Sequence, residues 1–276
     1  MYQVAGISKQ AVHKRRVQQL QKADQAIKFF EKADKIRDDH PGAGCRKMAR
    51  QLAVKGWGRD KVEQLLLVNG YRLSYRRYYK RTTYSQDKLY FPNLIEGLAV
   101  DNINQVVQTD ITYYRVKDRF YYLVFLIDVY SRRIVGFAAS KSLAAEANIK
   151  TLKRMLRVRK GQSIAGLIHH SDRGSQYIDK EYLTLLRNHK MEISMCSAPW
   201  ENPFAERINR TIKEEYLNGW KIGDFAALSR CLRKAVNHYN RKRSHDSLNK
   251  LSPIEFEKQL SNKNLKELVK VNMVKH

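Results

Sequence analysis

The chain has 276 residues, 43% of them apolar, enough for one large domain and one small domain with a proper core, which excludes a disordered polypeptide. Lysine and arginine number 53 against 27 acids, a net charge of +26, and that surplus exceeds what solubility asks and points to a polyanion, nucleic acid first. No apolar run approaches the roughly 18 residues of a membrane span, and no signal peptide opens the chain; Cys45, Cys196 and Cys231 are too scattered for a disulfide framework or a Cys-rich zinc site, so a cytoplasmic protein is expected.

The cationic excess is not a tail: 21 basic and 10 acidic residues lie in 1–104, 32 and 17 in the remainder. Residues 1–40 read as a short helix capped by Ser8 and then a long charged helix, whose Leu20, Ala23, Ile27, Phe30 and Ala33 or Lys35 make a partial apolar stripe that packs on a partner or on the following domain, or else a solvated helical spacer. Pro41 and the glycines after it break the chain. Residues 41–70 carry two helical patterns separated by Gly-Trp-Gly and stopped by Asn69 and Gly70, a helix-turn-helix in outline. In it Met48 and Leu52 face Val62, Leu65 and Leu66, leaving Arg59, Lys61 and Gln64 for a DNA groove; a helical hairpin without any DNA role has the same pattern. Residues 71–104 follow, with six Tyr, six basic residues and a single Asp between Tyr71 and Tyr90. Such a segment suits a linker whose Arg76, Arg77, Lys80 and Arg81 track phosphates while its rings stack, and equally an arm packed on its own protein.

From residue 105 the pattern turns to α/β. QVVQTDITYYRV, FYYLVFLIDVY and RIVGFAA read as three consecutive strands, LVFLI being apolar enough to be central. A helix over 142–159, a strand SIAGLIHH, a helix over 177–189, the strand EISMC and a helix running from Pro203 to Asn218 complete residues 105–220, with SAPW as a loop. Asn202 is a good N-cap for that last helix and Pro203 suits its first position. Residues 221–276 hold a final helix with a Leu228, Cys231, Leu232, Val236 stripe and a Lys-rich tail of low motif content.

Two carboxylates stand out. Asp172 follows an apolar strand at the sheet edge, where α/β sites are built, and Glu206 lies off the Phe204, Ile208, Ile212 stripe of its helix, free to reach across a cleft as any solvated glutamate is. Asp128, next to the YSRR turn, reads as a turn-capping hydrogen-bond acceptor. His169 and His170 alternate inward and outward.

These residues bring a resemblance. HHSDRGSQY, ENPFAERINRTIKEE, QTDITYY and LIDVYSRRIVGF resemble the second-frame protein of the IS-three family of bacterial insertion-sequence transposases, in the retroviral-integrase superfamily, over roughly residues 41–248. The resemblance implies a ribonuclease H-like α/β core, a mixed five-stranded sheet with helices, behind an N-terminal all-α helix-turn-helix region. It implies a triad of Asp110, Asp172 and Glu206 acting as catalytic groups and metal ligands, with two Mg2+ ions for which Mn2+ can substitute. In that order the first and fourth strands are neighbours, so Asp110 and Asp172 meet across 61 intervening residues. It places a DNA-contacting Lys at Lys213, two helical turns from Glu206, and makes His170 and Asn202 second-layer candidates, His170 orienting Asp172 or touching substrate. Three departures stand beside it: Gln108 where Trp is usual, Pro203 where Ala is common, and 33 residues between Asp172 and Glu206, slightly fewer than usual.

The implied function is cleavage of insertion-sequence ends and strand transfer, in the bacterial cytoplasm at the nucleoid. The implied partners are the inverted-repeat ends and target DNA, further copies of the chain, and a fused or associated upstream-frame protein. A catalytically inactive DNA-binding relative and a structure-specific nuclease of the same fold are the alternatives.

Overall fold

A computed structural model describes residues 9–54, 56–73, 91–143, 145–261 and 271–273. The chain divides into two compact units, Met1–Arg76 and Arg77–His276. The four linker cations Arg76, Arg77, Lys80 and Arg81 and the cap residue Ser8 lie outside the described residues.

In the first unit, helices α1 (Lys9–Asp39), α2 (Cys45–Leu52) and α3 (Arg59–Val68) share one small core. α1 is continuous from Lys9, where two helices were expected: no Gly or Pro interrupts it, and charged residues of high helix propensity carry it. The expected stripe holds only at its C-terminal end. Leu20 and Ile27 are exposed, whereas Ala33 is buried and Phe30 packs against the core as expected; the seam's other buried residue is Phe29, and it packs with Met48, Ala49, Val62 and Leu66. Gly70, at φ +83°, takes the left-handed conformation that ends α3, which any Cβ would strain. Arg37 fastens the unit, donating to the carbonyls of Pro41 at 2.9 Å and Tyr71 at 2.7 Å.

The second unit is built on a five-stranded mixed sheet. After the short strand β1 (Ala99–Val100) come β2 (Val106–Val116), β3 (Arg119–Asp128) and β4 (Ile134–Ser140), an antiparallel meander. Helix α4 (Glu146–Val158) crosses to β5 (Ile168–Ser171), and α5 (Lys180–Asn188) to β6 (Glu192–Met195). The order is β4-β3-β2-β5-β6, with β5 and β6 parallel to β2 and to each other. SIAGLIHH is strand only from Ile168, because Gly166, at φ +77°, turns the chain before it. Gly136 has a different reason to be glycine: a Cβ there would lie 2.4 Å from the Thr151 carbonyl, so its absence lets α4 pack against β4.

Helices α6 (Pro203–Glu215) and α7 (Phe225–Arg241) cover one face of the sheet, their Ile208, Ile212, Leu228, Leu232 and Val236 meeting Leu123, Phe125 and Ile134; α4 and α5 cover the other. α6 ends at Glu215, short of the expected Asn218, and one 3-10 turn, Leu217–Gly219, follows. A 3-10 turn, Pro199–Glu201, stands where SAPW was expected to be loop. Arg243 grips Glu215 through two hydrogen bonds of 2.6 and 2.8 Å, tying the chain after α7 to the end of α6. Asn240 bonds both backbone groups of Ile134 at the start of β4.

The C-terminal segment does more than its composition indicated. Glu257, on α8 (Pro253–Ser261), joins a buried ionic cluster with Arg159, Asp128 and Arg133, and β7 (Val271–Asn272) pairs with β1. Asp128 is the turn cap it was expected to be, accepting from the Tyr130 and Ser131 N–H groups; it also pairs with Arg159 at 3.1 Å.

Candidate active site

β2 and β5 are neighbours in parallel register, Gln108 opposite His170. Asp110 sits two residues further along β2, and Asp172 is the first residue past β5. Asp110 Oδ1 accepts from the N–H of Ile111 at 2.8 Å, and Asp172 Oδ1 from the N–H of Gly174 at 3.1 Å. Gly174 approaches closely: a Cβ there would sit 3.0 Å from Asp172 Oδ1.

Electrostatics report the proximity of these groups. Burial, then the charge of Asp172, and more weakly that of Glu206, push the Asp110 carboxyl up to about 7, against donors from Ile111 and Asn209. Burial raises Asp172 too. Cys196 and Tyr177 are buried beside the pair, and after burial the Asp172 and Asp110 charges push both upward, Cys196 to about 12. A buried carboxyl whose ionisation neighbouring carboxylates disfavour makes a place for a cation.

α6 brings the third group. Glu206 is exposed near its N-terminus, and Asn209 and Lys213 follow on the same stripe, at i+3 and i+7. Asn209 Nδ2 donates to Asp110 Oδ2 at 2.8 Å, and Lys213 Nζ donates to Thr112 Oγ1 at 2.8 Å. Burial lowers the Lys213 pKa while the Asp110 charge opposes it. Among the described residues no three His, Cys, Asp or Glu side chains are gathered tightly enough to grip an ion as they stand. Asp110 and Asp172 are half-buried whereas Glu206 faces outward.

The start of α6 is fixed differently from expectation. Asn202 occupies the N-cap position but makes no capping bond; its Nδ2 donates to the Thr109 carbonyl at 2.9 Å, tying the helix to β2 beside Asp110. The cap comes from Gln108, fully buried, whose Oε1 accepts from the Phe204 N–H at 3.0 Å. His170 is fully buried, with Nδ1 2.8 Å from Ser194 Oγ of β6, and no described bond joins it to Asp172. His169 bonds Tyr182 on the opposite face, and burial lowers both rings, to about 3 and about 4, leaving them neutral.

Of the other expected DNA contacts, the described ones belong to the first unit. Arg59, Lys61 and Gln64 are all exposed on α3. Arg59 pairs with Asp60 at 2.7 Å, and Lys61 lies 5.0 Å from the Trp57 ring centre. Sequence reasoning missed Asn209, Tyr177 and the capping role of Gln108; only the i+3 spacing of Asn209 from Glu206 was a signal. No helix among the described residues is long and apolar enough to cross a membrane, and the three cysteines are unpaired.

Known proteins share this pattern. Two models, each described as an integrase core domain, match residues 101–199 and 188–253. An insertion element IS600 uncharacterized 31 kDa protein of Shigella sonnei is 30% identical over 266 residues, 93% of this chain and 97% of its own. The transposase for insertion sequence element IS629, also of Shigella sonnei, is 30% identical over 80% of this chain and 75% of its own. A transposase for insertion sequence element IS904 of Lactococcus lactis is 32% identical over 70% and 76%. With the integrase core falling on the five-stranded sheet and these relatives covering most of its length, the chain belongs to the IS-three-type DNA transposases, polynucleotidyl-transferring enzymes of the retroviral-integrase superfamily.

Proposed function

We propose that Asp110, Asp172 and Glu206 are the triad with which this transposase cleaves the ends of its element and joins the freed 3′ end to target DNA. One observation carries the reading: β2 and β5 lie side by side and α6 bonds Asp110 through Asn209, so carboxylates from a strand, a strand end and a helix, separated by 61 and 33 residues, come to one edge of the sheet.

The donor set fits a hard divalent cation such as Mg2+ or Mn2+, being all oxygen and mutually repulsive, though it is not a closed cage. Two such ions, when bound, supply the charge that steadies the attacking and leaving oxygens of an in-line displacement at phosphorus. The chain's own residues do the rest. Asn209 holds one oxygen of Asp110 in place, Asn202 and Gln108 hold the start of α6 against β2, and Lys213 offers an ammonium to a DNA phosphate near the carboxylates. The nucleophile is water or a DNA 3′ hydroxyl, so no nucleophilic side chain is required.

In this reading residues 41–70 recognise the element ends through Arg59, Lys61 and Gln64, residues 71–104 with Arg76, Arg77, Lys80 and Arg81 track the backbone, and residues 105–220 carry out the chemistry. The active form is an assembly of several copies on DNA in the cytoplasm, fused to or accompanied by the upstream-frame protein. The test is cleavage of an end duplex by purified Asp110→Asn, Asp172→Asn and Glu206→Gln. Each is expected to abolish cleavage and leave DNA binding nearly intact. Mg2+-dependent cleavage retained by any one of them removes that residue from the site.

A further inference from the structure

The edge strand β4 borders a groove that the triad does not explain. α4 and α7 flank it on the two faces of the sheet, leaving two depressions of about 260 and 380 Å3 that share Phe137, Arg154, Arg157 and Arg233. Every ionisable side chain lining them is basic. Lys150, Lys153 and Arg133 already face Glu146, Glu181 and Glu257, but Arg154, Arg157, Arg233 and Arg241 have no carboxylate partner among the described residues.

Arg154 is held in place. Its Nη1 donates to the Phe137 carbonyl at 2.5 Å and its guanidinium lies 4.4 Å from the centre of the Phe137 ring. Burial lowers its pKa, and the positive charges of Arg157 and Arg233 lower it further. Three guanidiniums are thus kept together against their own repulsion, a cost that a bound anion removes.

We propose, building on the transposase reading, that this groove between α4 and α7 binds the phosphate backbone of the target duplex, separately from the DNA end held at the carboxylates. Size favours a polymer over a small anion. Arg233 to Arg241 spans about 12 Å of helix, and one DNA strand presents a charge about every 3.4 Å of axis, so the row matches several successive phosphates. Chemistry favours DNA of unfixed sequence, because guanidinium contacts to phosphate position a duplex without reading it. The place is suitable as well: Asp110 pairs with Phe125 and Phe125 with Phe137, so the groove floor is two strand spacings, about 10 Å, from the first carboxylate. A second copy of the chain fits poorly, since a two-fold contact would set the same arginines against one another.

The test uses the full chain with Arg157→Glu and Arg233→Glu together, leaving Arg154 on its ring. With a random-sequence duplex of about four helical turns, the slope of log affinity against log salt is expected to become shallower by about 2. Joining of a pre-nicked terminal-repeat duplex to that random duplex should fall at least tenfold, while cleavage of the terminal-repeat duplex, which needs no target, stays within about twofold of the parent. The paired Arg157→Lys and Arg233→Lys change should restore most joining. An unchanged salt slope and unchanged joining overturn the proposal. So does a loss that follows the length of the end duplex instead of the target, or a shift in oligomeric state without DNA. If the parent chain alone neither cleaves nor joins, the salt slope still decides the groove independently of the triad, and an unchanged slope overturns it.

Discussion

Asn209 donates to Asp110 across a sequence distance of 99 residues, from the helix stripe that also carries Glu206. The bond removes one of the ways Asp110 can turn and fixes α6 against β2 at the point where the third carboxylate leaves the helix. Asn209→Ala is therefore expected to reduce end cleavage about 10- to 100-fold, the usual cost of losing a partner that orients a ligand. Binding of the same duplex should hardly change, because no cation is lost. Cleavage at the parent rate would show that Asp110 needs no such support.

Asp172→Asn should stabilise the metal-free protein. The Asp110 carboxyl is raised to about 7 by burial and next by Asp172, so the folded state holds a proton that the unfolded chain releases near 3.8. A raised folded value means stability falls as pH climbs between those two values. Removing the Asp172 charge lowers the Asp110 value, and each unit recovered is worth about 1.4 kcal/mol at neutral pH. Urea denaturation at pH 5 and pH 8 checks the sign: the gain should be larger at pH 8, and equal gains at both would contradict the coupling.

Gln108→Ala should cost about 1–2 kcal/mol, a cap-sized loss, since the Phe204 N–H is left without its acceptor at the start of α6. Because that turn carries Glu206, cleavage should decline as well, even at temperatures where the variant is fully folded. Stability at the parent level would mean that water replaces the cap.

Glu257→Gln should cost roughly 3–5 kcal/mol, because Arg159, almost wholly buried, and Arg133 lose the carboxylate charge they share and one of its two acceptor oxygens. Burial alone would raise Glu257, but the hydrogen bonds and charge of Arg159, with Arg133, hold it below the ordinary 4.5. A depressed carboxylate contributes stability above its unfolded value and loses it as pH falls through the folded one. Melting temperatures followed downward from about pH 5 should therefore drop less steeply in the variant than in the parent.

Alanine at Arg59 and Gln64 together should lower the preference for end DNA over random DNA by roughly 1–3 kcal/mol for each side chain that bonds a base edge in bidentate fashion. Lys213→Ala should instead weaken joining with little change in the sequence chosen, its ammonium lying beside Thr112 in the core. Competition binding with end and scrambled duplexes measures the first, and joining of a pre-nicked end the second. An unchanged preference in the double variant places recognition elsewhere.

The sequence alone determined the strands of the meander, helices α2 to α7 and the motif positions of Asp110, Asp172 and Glu206, but not the continuity of α1 or the existence of α8. Strand alternation, helical stripes and glycine stops such as Gly70 are local, and their periods survive without knowledge of the fold. It misjudged elements whose limits are set by neighbours: α1 buries Phe29 because α2 and α3 lie on that side, and SIAGL stays out of the sheet because Gly166 turns. Only the tertiary structure decided who supports whom. Gln108 caps a helix 96 residues away, Arg159 finds Glu257 at a separation of 98, and Val271 pairs with Val100. Hydrogen-bond partners of this kind share no period and no adjacency; they are chosen when burial leaves each polar group one acceptor within reach. The arginine groove follows the same logic, since its cations come from α4, α7 and the residue before β4 and become one surface only when the sheet sets those elements side by side.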